Sequence, residues 1–179
     1  MLAARVLGEA AVLEGKNALQ TQAYGAEARG SMTKSEVIIS DGRIGFPAVR
    51  SSDVLVTMSQ EATDAFLRDL KESGVLIVDG ANVKNVPEIR ARVYRIPITE
   101  TAKAVGGGIL RANMVMLGAL TKITGIVAKE SVEEAIRSGL GRSADANLRA
   151  FRAGHMLEPG PASREPLQPR DSTRPGSPA

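Results

Sequence analysis

Two short apolar runs, at residues 53–58 (Asp-Val-Leu-Val-Thr-Met) and 75–78, flank a charged amphipathic stretch and constrain this chain's fold more than any other feature. Runs of β-branched residues without polar alternation suit strands covered on both faces, and the stretch 61–72, closed by Gly74, has the length of a helix. Strand, helix, strand is the βαβ unit of a parallel sheet. Residues 92–96 add another strand, stopped by Pro97. With 179 residues, 43% of them apolar, the chain can bury one substantial core and is short for two. The fold class this predicts is α/β, a single Rossmann-like domain with a mostly parallel sheet.

Either side of that unit the periodicity changes. Leu2, Val6, Ala10 and Leu13 recur at helical spacing with Arg5, Glu9 and Glu14 off the stripe, predicting an amphipathic helix over 1–16 that opens without a capping residue. Residues 17–22 and 35–40 read as strands; the second ends at Asp41-Gly42 and a hairpin-like return is expected over 43–47. After Gly106-Gly107-Gly108 the stretch 110–123 is apolar almost all round, with Leu110, Met114, Leu117 and Leu120 on one side and Met116 on another, the pattern of a buried helix. A helix over 131–140 carries a capping-box pattern in Ser131 and Glu134, and a weaker one over 145–153 ends at Gly154. Beyond it, six of the nine prolines and balanced charge mark 155–179 as a disordered tail, leaving 1–154 as the domain.

Composition excludes several classes of chemistry. There is no cysteine, so these residues supply no disulfide, thiolate zinc site or cysteine-ligated cluster, and a redox centre would belong to a partner. The one histidine, His155, stands at the edge of the proline-rich segment, leaving neither a histidine metal cluster nor a serine–histidine triad. The net charge of +3 comes from scattered basic residues, aromatics are 3% of the chain and tryptophan is absent, all of which argue against nucleic acid as a partner. No apolar run reaches transmembrane length and no secretory leader pattern opens the chain; the expectation is a cytoplasmic protein without membrane contact.

Polar features concentrate at residues 21–30, Thr-Gln-Ala-Tyr-Gly-Ala-Glu-Ala-Arg-Gly. Gly25 and Gly30 permit backbone angles closed to other residues, Arg29 offers a planar fork of donors to a carboxylate or phosphate, and Glu27 can orient it or pair across an interface. Two readings stand: a loop beside Tyr24 that meets a partner or ligand, or a turn whose Glu27 and Arg29 pair in water for little energy. Gly106-Gly107-Gly108 either exposes N–H groups to an anion or serves as a flexible connector, and it lacks the P-loop spacing. Asp79 ends a parallel strand, where doubly wound folds place ligands and where aspartates also start turns. Asn113, inside the buried helix, needs a hydrogen-bond partner, whether backbone or ligand. No residue is suited to acid–base or nucleophilic catalysis, so the catalytic set is empty.

The loop resembles the Tyr-Gly-Pro-Glu-x-Arg-Gly-Gly segment of the gamma subunits of 2-oxoacid:ferredoxin oxidoreductases, and the likeness extends through 35–41, the Ser59-Gln60-Glu61-Ala62 step, 75–79, 113–120 and 147–154. Ala26 stands where that family has proline and Ser31 where it has the second glycine, which loosens one side of the loop and restricts the other. Family members begin with a strand and a Gly-x-Gly-Gly-Gln-Gly turn ahead of the helix that here opens at Met1; the expectation is a first strand missing from this sequence, through an internal methionine taken as the start. The resemblance implies oxidative decarboxylation of a 2-oxoacid with coenzyme A to acyl-CoA, carbon dioxide and reduced ferredoxin. Thiamine diphosphate, Mg2+ and iron-sulfur clusters would be carried by other subunits, and coenzyme A would bind within the complex. It also implies alpha and beta partners, with a delta subunit in some complexes, and assigns Tyr24, Glu27 and Arg29 to the contact with them or with coenzyme A. The Glu-Ala-Arg-Gly loop followed by Lys-Ser-Glu-Val-Ile-Ile-Ser is closest to the 2-oxoglutarate branch. An indolepyruvate:ferredoxin oxidoreductase small subunit, and a non-enzymatic nucleotide-binding or scaffold domain, are the alternatives.

Overall fold

The computed structural model describes residues 2–24, 33–106 and 108–160, the side chains of Ala23, Tyr24 and Ile109 excepted. Helix α1 (Leu2–Leu13) buries Ala3, Val6, Leu7, Ala10 and Ala11, so the core stripe lies one position round from the expected one and Leu13 is 56% exposed. Gly15, at φ +78°, closes it: the Gly15 and Lys16 N–H groups return to the Val12 and Ala11 carbonyls, a geometry that needs a left-handed residue.

Strands β1 (Asn17–Tyr24) and β2 (Thr33–Ser40) form an antiparallel pair in unbroken register from Asn17↔Ser40 to Tyr24↔Thr33. Ala18, Val37 and Ile39 of that pair pack on the main core beside α1. The expected return over 43–47 is not a strand; residues 41–51 are irregular and lead into β3 (Ser52–Thr57). A second sheet, entirely parallel, has the order β3-β4-β5, with β4 (Leu70–Asp79) central and β5 (Arg92–Ile96) at one edge. Among the described residues no strand joins the two sheets, which leaves β3 as an edge.

The helix expected over 61–72 is shorter. Helix α2 (Gln60–Phe66) gives way to a 3-10 turn, and Lys71 and Glu72 already belong to β4. Gly74 is a bulge residue and not a helix stop: the register passes from Ser52↔Leu70 to Val54↔Val75, and a Cβ on Gly74 would lie 2.9 Å from the carbonyl oxygens of both Asp53 and Lys71. From there β4 is buried on both faces as its composition requires. Val75 and Ile77 enter the core shared with α1 and the C-terminal helices, whereas Leu76 and Val78 join Val83 and Val93 in a smaller cluster on the opposite side.

Pro97 does not merely stop β5; it opens helix α3 (Ile98–Ala104), a role its fixed φ and missing N–H allow. Helix α4 (Ala112–Thr124) is buried as expected, but Leu110 precedes it in a 3-10 turn and is 86% exposed. Helix α5 (Lys129–Gly139) begins two residues before the expected serine, so Ser131 is not its cap; Glu14, from the end of α1, accepts the Ala128 N–H at 2.5 Å instead. Helix α6 (Ala144–Met156) runs through Gly154 rather than ending there. The glycine is needed for packing: a Cβ on Gly154 would meet the Val115 backbone and one on Gly118 the Phe151 carbonyl, so α4 and α6 cross at main-chain contact. The tail beyond residue 160 lies outside the described residues.

Candidate docking site

Of the loop singled out by sequence, the structure describes only its frame. Tyr24 ends β1 and pairs with Thr33, so both ends of 25–32 are fixed in one antiparallel register; Gly25, Glu27, Arg29 and Gly30 lie outside the described residues. Immediately after the loop stands a cluster that sequence reading did not assign. Lys34 Nζ lies 2.7 Å from Glu36 Oε1 and 3.9 Å from Asp69 Oδ2, and 4.9 Å above the Phe66 ring. Glu36 Oε2 also accepts from Thr21 Oγ1 (3.2 Å) and from the Val49 N–H (3.4 Å). Burial pushes the Glu36 carboxyl up, but the hydrogen bonds from Lys34 and Val49 outweigh it and hold the group below its ordinary range. Strand alternation alone puts Lys34 and Glu36 on one face; Phe66 and Asp69 reach them only through the tertiary fold, which no local pattern announces.

Asp79 was a candidate for the ligand edge of the sheet, and the structure places it as a turn-former. It is fully buried; Oδ1 accepts from the Ala81 N–H (3.4 Å) and the Thr99 N–H (3.3 Å), and Oδ2 from Asn82 Nδ2 (2.7 Å) and the Thr99 hydroxyl. Four donors of the chain itself occupy the carboxylate, tying the end of β4 to the first turn of α3. Asn113 sits in the first turn of α4, and its Oδ1 is buried without a hydrogen-bond partner among the described residues, as are Gln20 Nε2 and Ser35 Oγ. At the triple glycine, Gly106 and Gly108 take φ of +75° and +54°, conformations suited to glycine, and lead into the 3-10 turn rather than directly into α4.

The Ser59-Gln60-Glu61-Ala62 step now has a physical role. Ser59 caps α2 through the Ala62 N–H, and Gln60 clasps the segment after β4: its Oε1 accepts the Lys84 and Asn85 N–H groups at 3.0 Å each, and its Nε2 donates to the Asn85 carbonyl at 2.8 Å. A carboxamide has both donors and an acceptor, so this one side chain holds main chain in both senses. His155 packs near Phe151, with ring centroids 6.1 Å apart, and burial pushes its pKa down. Among the described residues no group of three or more His, Cys, Asp or Glu side chains is placed to hold a metal ion, and no helix is long and apolar enough to cross a membrane.

Similarity to known proteins agrees with this frame. The family model described as pyruvate ferredoxin/flavodoxin oxidoreductase matches residues 1–157. The 2-oxoglutarate synthase subunit KorC of Methanocaldococcus jannaschii is 46% identical over 161 residues, covering 88% of this chain and 86% of that protein. Its counterpart from Methanothermobacter thermautotrophicus is 47% identical over 165 residues, covering 88% and 87%. In three dimensions the chain is similar to the gamma subunit of a keto/oxoacid ferredoxin oxidoreductase from Geobacter sulfurreducens PCA, with a TM-score of 0.74 and 41% identity over 86% of this chain and 87% of that one. Matched by one family model through every sheet and α-helix of its described residues, this chain belongs to the pyruvate ferredoxin/flavodoxin oxidoreductase family.

Proposed function

We propose that the chain is the gamma-type subunit of a 2-oxoglutarate:ferredoxin oxidoreductase, acting within a complex that converts a 2-oxoacid and coenzyme A to acyl-CoA, carbon dioxide and reduced ferredoxin. The observation that carries this reading is the similarity, at 46% and 47% identity over most of both chains, to proteins named as 2-oxoglutarate synthase subunits. In this reading other subunits of the complex carry thiamine diphosphate, Mg2+ and the iron-sulfur clusters, a division supported by the absence of cysteine from all 179 residues. The alpha and beta subunits, with a delta subunit in some complexes, are its partners, and Tyr24, Glu27 and Arg29 meet them or the coenzyme A end of the site. The pocket for the 2-oxoacid belongs chiefly to the partners.

The test is reconstitution with the alpha and beta subunits of the same organism, assayed with 2-oxoglutarate, pyruvate and indolepyruvate in turn. Ferredoxin reduction that requires all subunits and prefers 2-oxoglutarate is expected, with none from the chain alone. A preference for indolepyruvate would move the chain to the alternative oxidoreductase, and failure to copurify with either subunit would remove the subunit reading altogether.

A further inference from the structure

Two steps of this sequence join an aspartate directly to glycine, Asp41-Gly42 and Asp79-Gly80, and every other aspartate and asparagine is followed by a residue with a side chain. A glycine nitrogen has no Cβ beside it to hinder its approach to the preceding carboxyl carbon, so these two steps are where the main chain can react with its own side chain. The structure sets them in opposite surroundings. At Asp79 the reacting atoms are all engaged. The buried carboxylate accepts from Ala81, Asn82 and Thr99, and the Gly80 N–H donates to the Ile96 carbonyl at 2.9 Å, so ring closure there requires the end of β4 to come apart from β5 and α3. At Asp41, just past the end of β2, both residues are exposed, and no other described residue engages the carboxylate. The Gly42 N–H donates to Ser40 Oγ and the Gly42 carbonyl accepts from Asn17 Nδ2, each at 3.1 Å and at the surface, and a Cβ built on Gly42 would find nothing within 4 Å.

We propose that Asp41 is a covalent modification site: its main-chain link converts to the isoaspartyl form in the folded protein, whereas the fold holds Asp79 in the ordinary form. The Gly42 nitrogen, losing its proton, bonds to Asp41 Cγ, and a carboxyl oxygen leaves as water, closing a cyclic imide. Water then adds to either imide carbonyl. Cleavage between nitrogen and Cγ restores aspartate; cleavage between nitrogen and the main-chain carbonyl carbon leaves the chain running through Cβ and Cγ, with a free α-carboxylate. One water is lost and one regained, and nothing is oxidised or reduced. The lengthened link falls where residues 41–51 have no strand ladder to disturb. Its exposed α-carboxylate is a substrate for the carboxyl methyltransferases that act on isoaspartyl groups with S-adenosylmethionine.

The experiment ages the full chain at neutral pH, folded or in concentrated urea, and follows tryptic peptides 35–43 and 72–84 by mass spectrometry with electron-transfer fragmentation, which separates isoaspartate from aspartate at equal mass. In the folded chain Asp41 should convert at least about 100-fold faster than Asp79, because Asp79 reacts only from globally open molecules, about one in a thousand or fewer. Unfolding in urea should raise the rate at Asp41 by no more than about tenfold, the worth of two exposed hydrogen bonds, and bring the two aspartates to within about that factor of each other. Gly42→Ala, which the open space accommodates, should slow conversion at residue 41 several-fold in both conditions with an unchanged melting temperature. In the aged folded parent, an isoaspartyl methyltransferase with labelled S-adenosylmethionine should place its methyl group on peptide 35–43 and not on 72–84. Equal folded-state rates at the two aspartates, a Gly42→Ala chain that converts as fast as the parent, or an aged chain that takes no label at 35–43 overturns the inference.

Discussion

Glu133 on α5 gathers more charge than any other described side chain. Arg152 of α6 donates to it through Nε at 2.8 Å and Nη2 at 2.5 Å, Arg137 through Nη2 at 2.7 Å, and Lys129 lies 3.9 Å away. The Arg152 hydrogen bonds lead in lowering its pKa from the ordinary 4.5 to about 2, against burial that pushes it up. A depressed folded pKa means stability that is present above the ordinary carboxylate range and lost as pH falls toward the folded value. Glu133→Gln should therefore cost about 2 kcal/mol at neutral pH, with the gap to the parent closing as pH drops from 4.5 toward 2, read from urea midpoints across that range. A gap independent of pH would contradict the assignment. Asp79→Asn is expected to be costlier still, about 2–4 kcal/mol, because the new amide N–H2 would face the donors of Thr99 and Asn82 in a site with no access to water. Calorimetry that found this variant as stable as the parent would mean the carboxylate is not acting as the hub of that turn.

At the level of elements, α4 and α6 depend on two glycines. Alanine ordinarily stabilises a helix by about 1 kcal/mol over glycine, yet a Cβ on Gly118 would lie 2.6 Å from the His155 nitrogen and one on Gly154 2.8 Å from the Val115 Cα. Backbone cannot yield as a flexible side chain can, so Gly118→Ala and Gly154→Ala should each lose about 2–3 kcal/mol and lower the melting temperature by about 5–10 °C. A rise in either would show that the helices separate freely. Gly154 also shows where sequence reading stops. The run toward it reads as a helix ending at a glycine, and the glycine belongs instead to a contact with Val115, 39 residues away in the chain. Gly74 misleads in the same way, since the Asp53 carbonyl that excludes a side chain there is invisible to local pattern. Ser131 fits a capping box, but the Ala128 N–H is taken by Glu14, 114 positions earlier. What could be read directly were the elements defined by their own residues: the apolar β3 and β4, the all-round burial of α4, the amphipathic α1. The loop at 25–30 lies outside the described residues and rests on the family resemblance alone, whereas Lys34, Asp69 and Phe66 cluster only once α2 and β2 are brought together.

For the molecule as a whole, the absence of ladder bonds between its two sheets divides the described residues into parts of unequal resistance. β4 is paired on both sides and buried from Val75 to Asp79, while β1 and β2 have only each other. Native-state hydrogen exchange should therefore find amides of Leu76, Ile77 and Val78 opening only with global unfolding, and those of β1 and β2 opening at lower free energy. Equal protection throughout would mean that the shared apolar core couples the two sheets into a single cooperative unit. Asp79 has a last consequence for the assembled enzyme. In many doubly wound proteins the crevice past the strand ends is where polar groups meet substrate; here four donors of the chain itself fill the carboxylate, so that end of the sheet holds its own turn together and presents no open acceptor to a ligand.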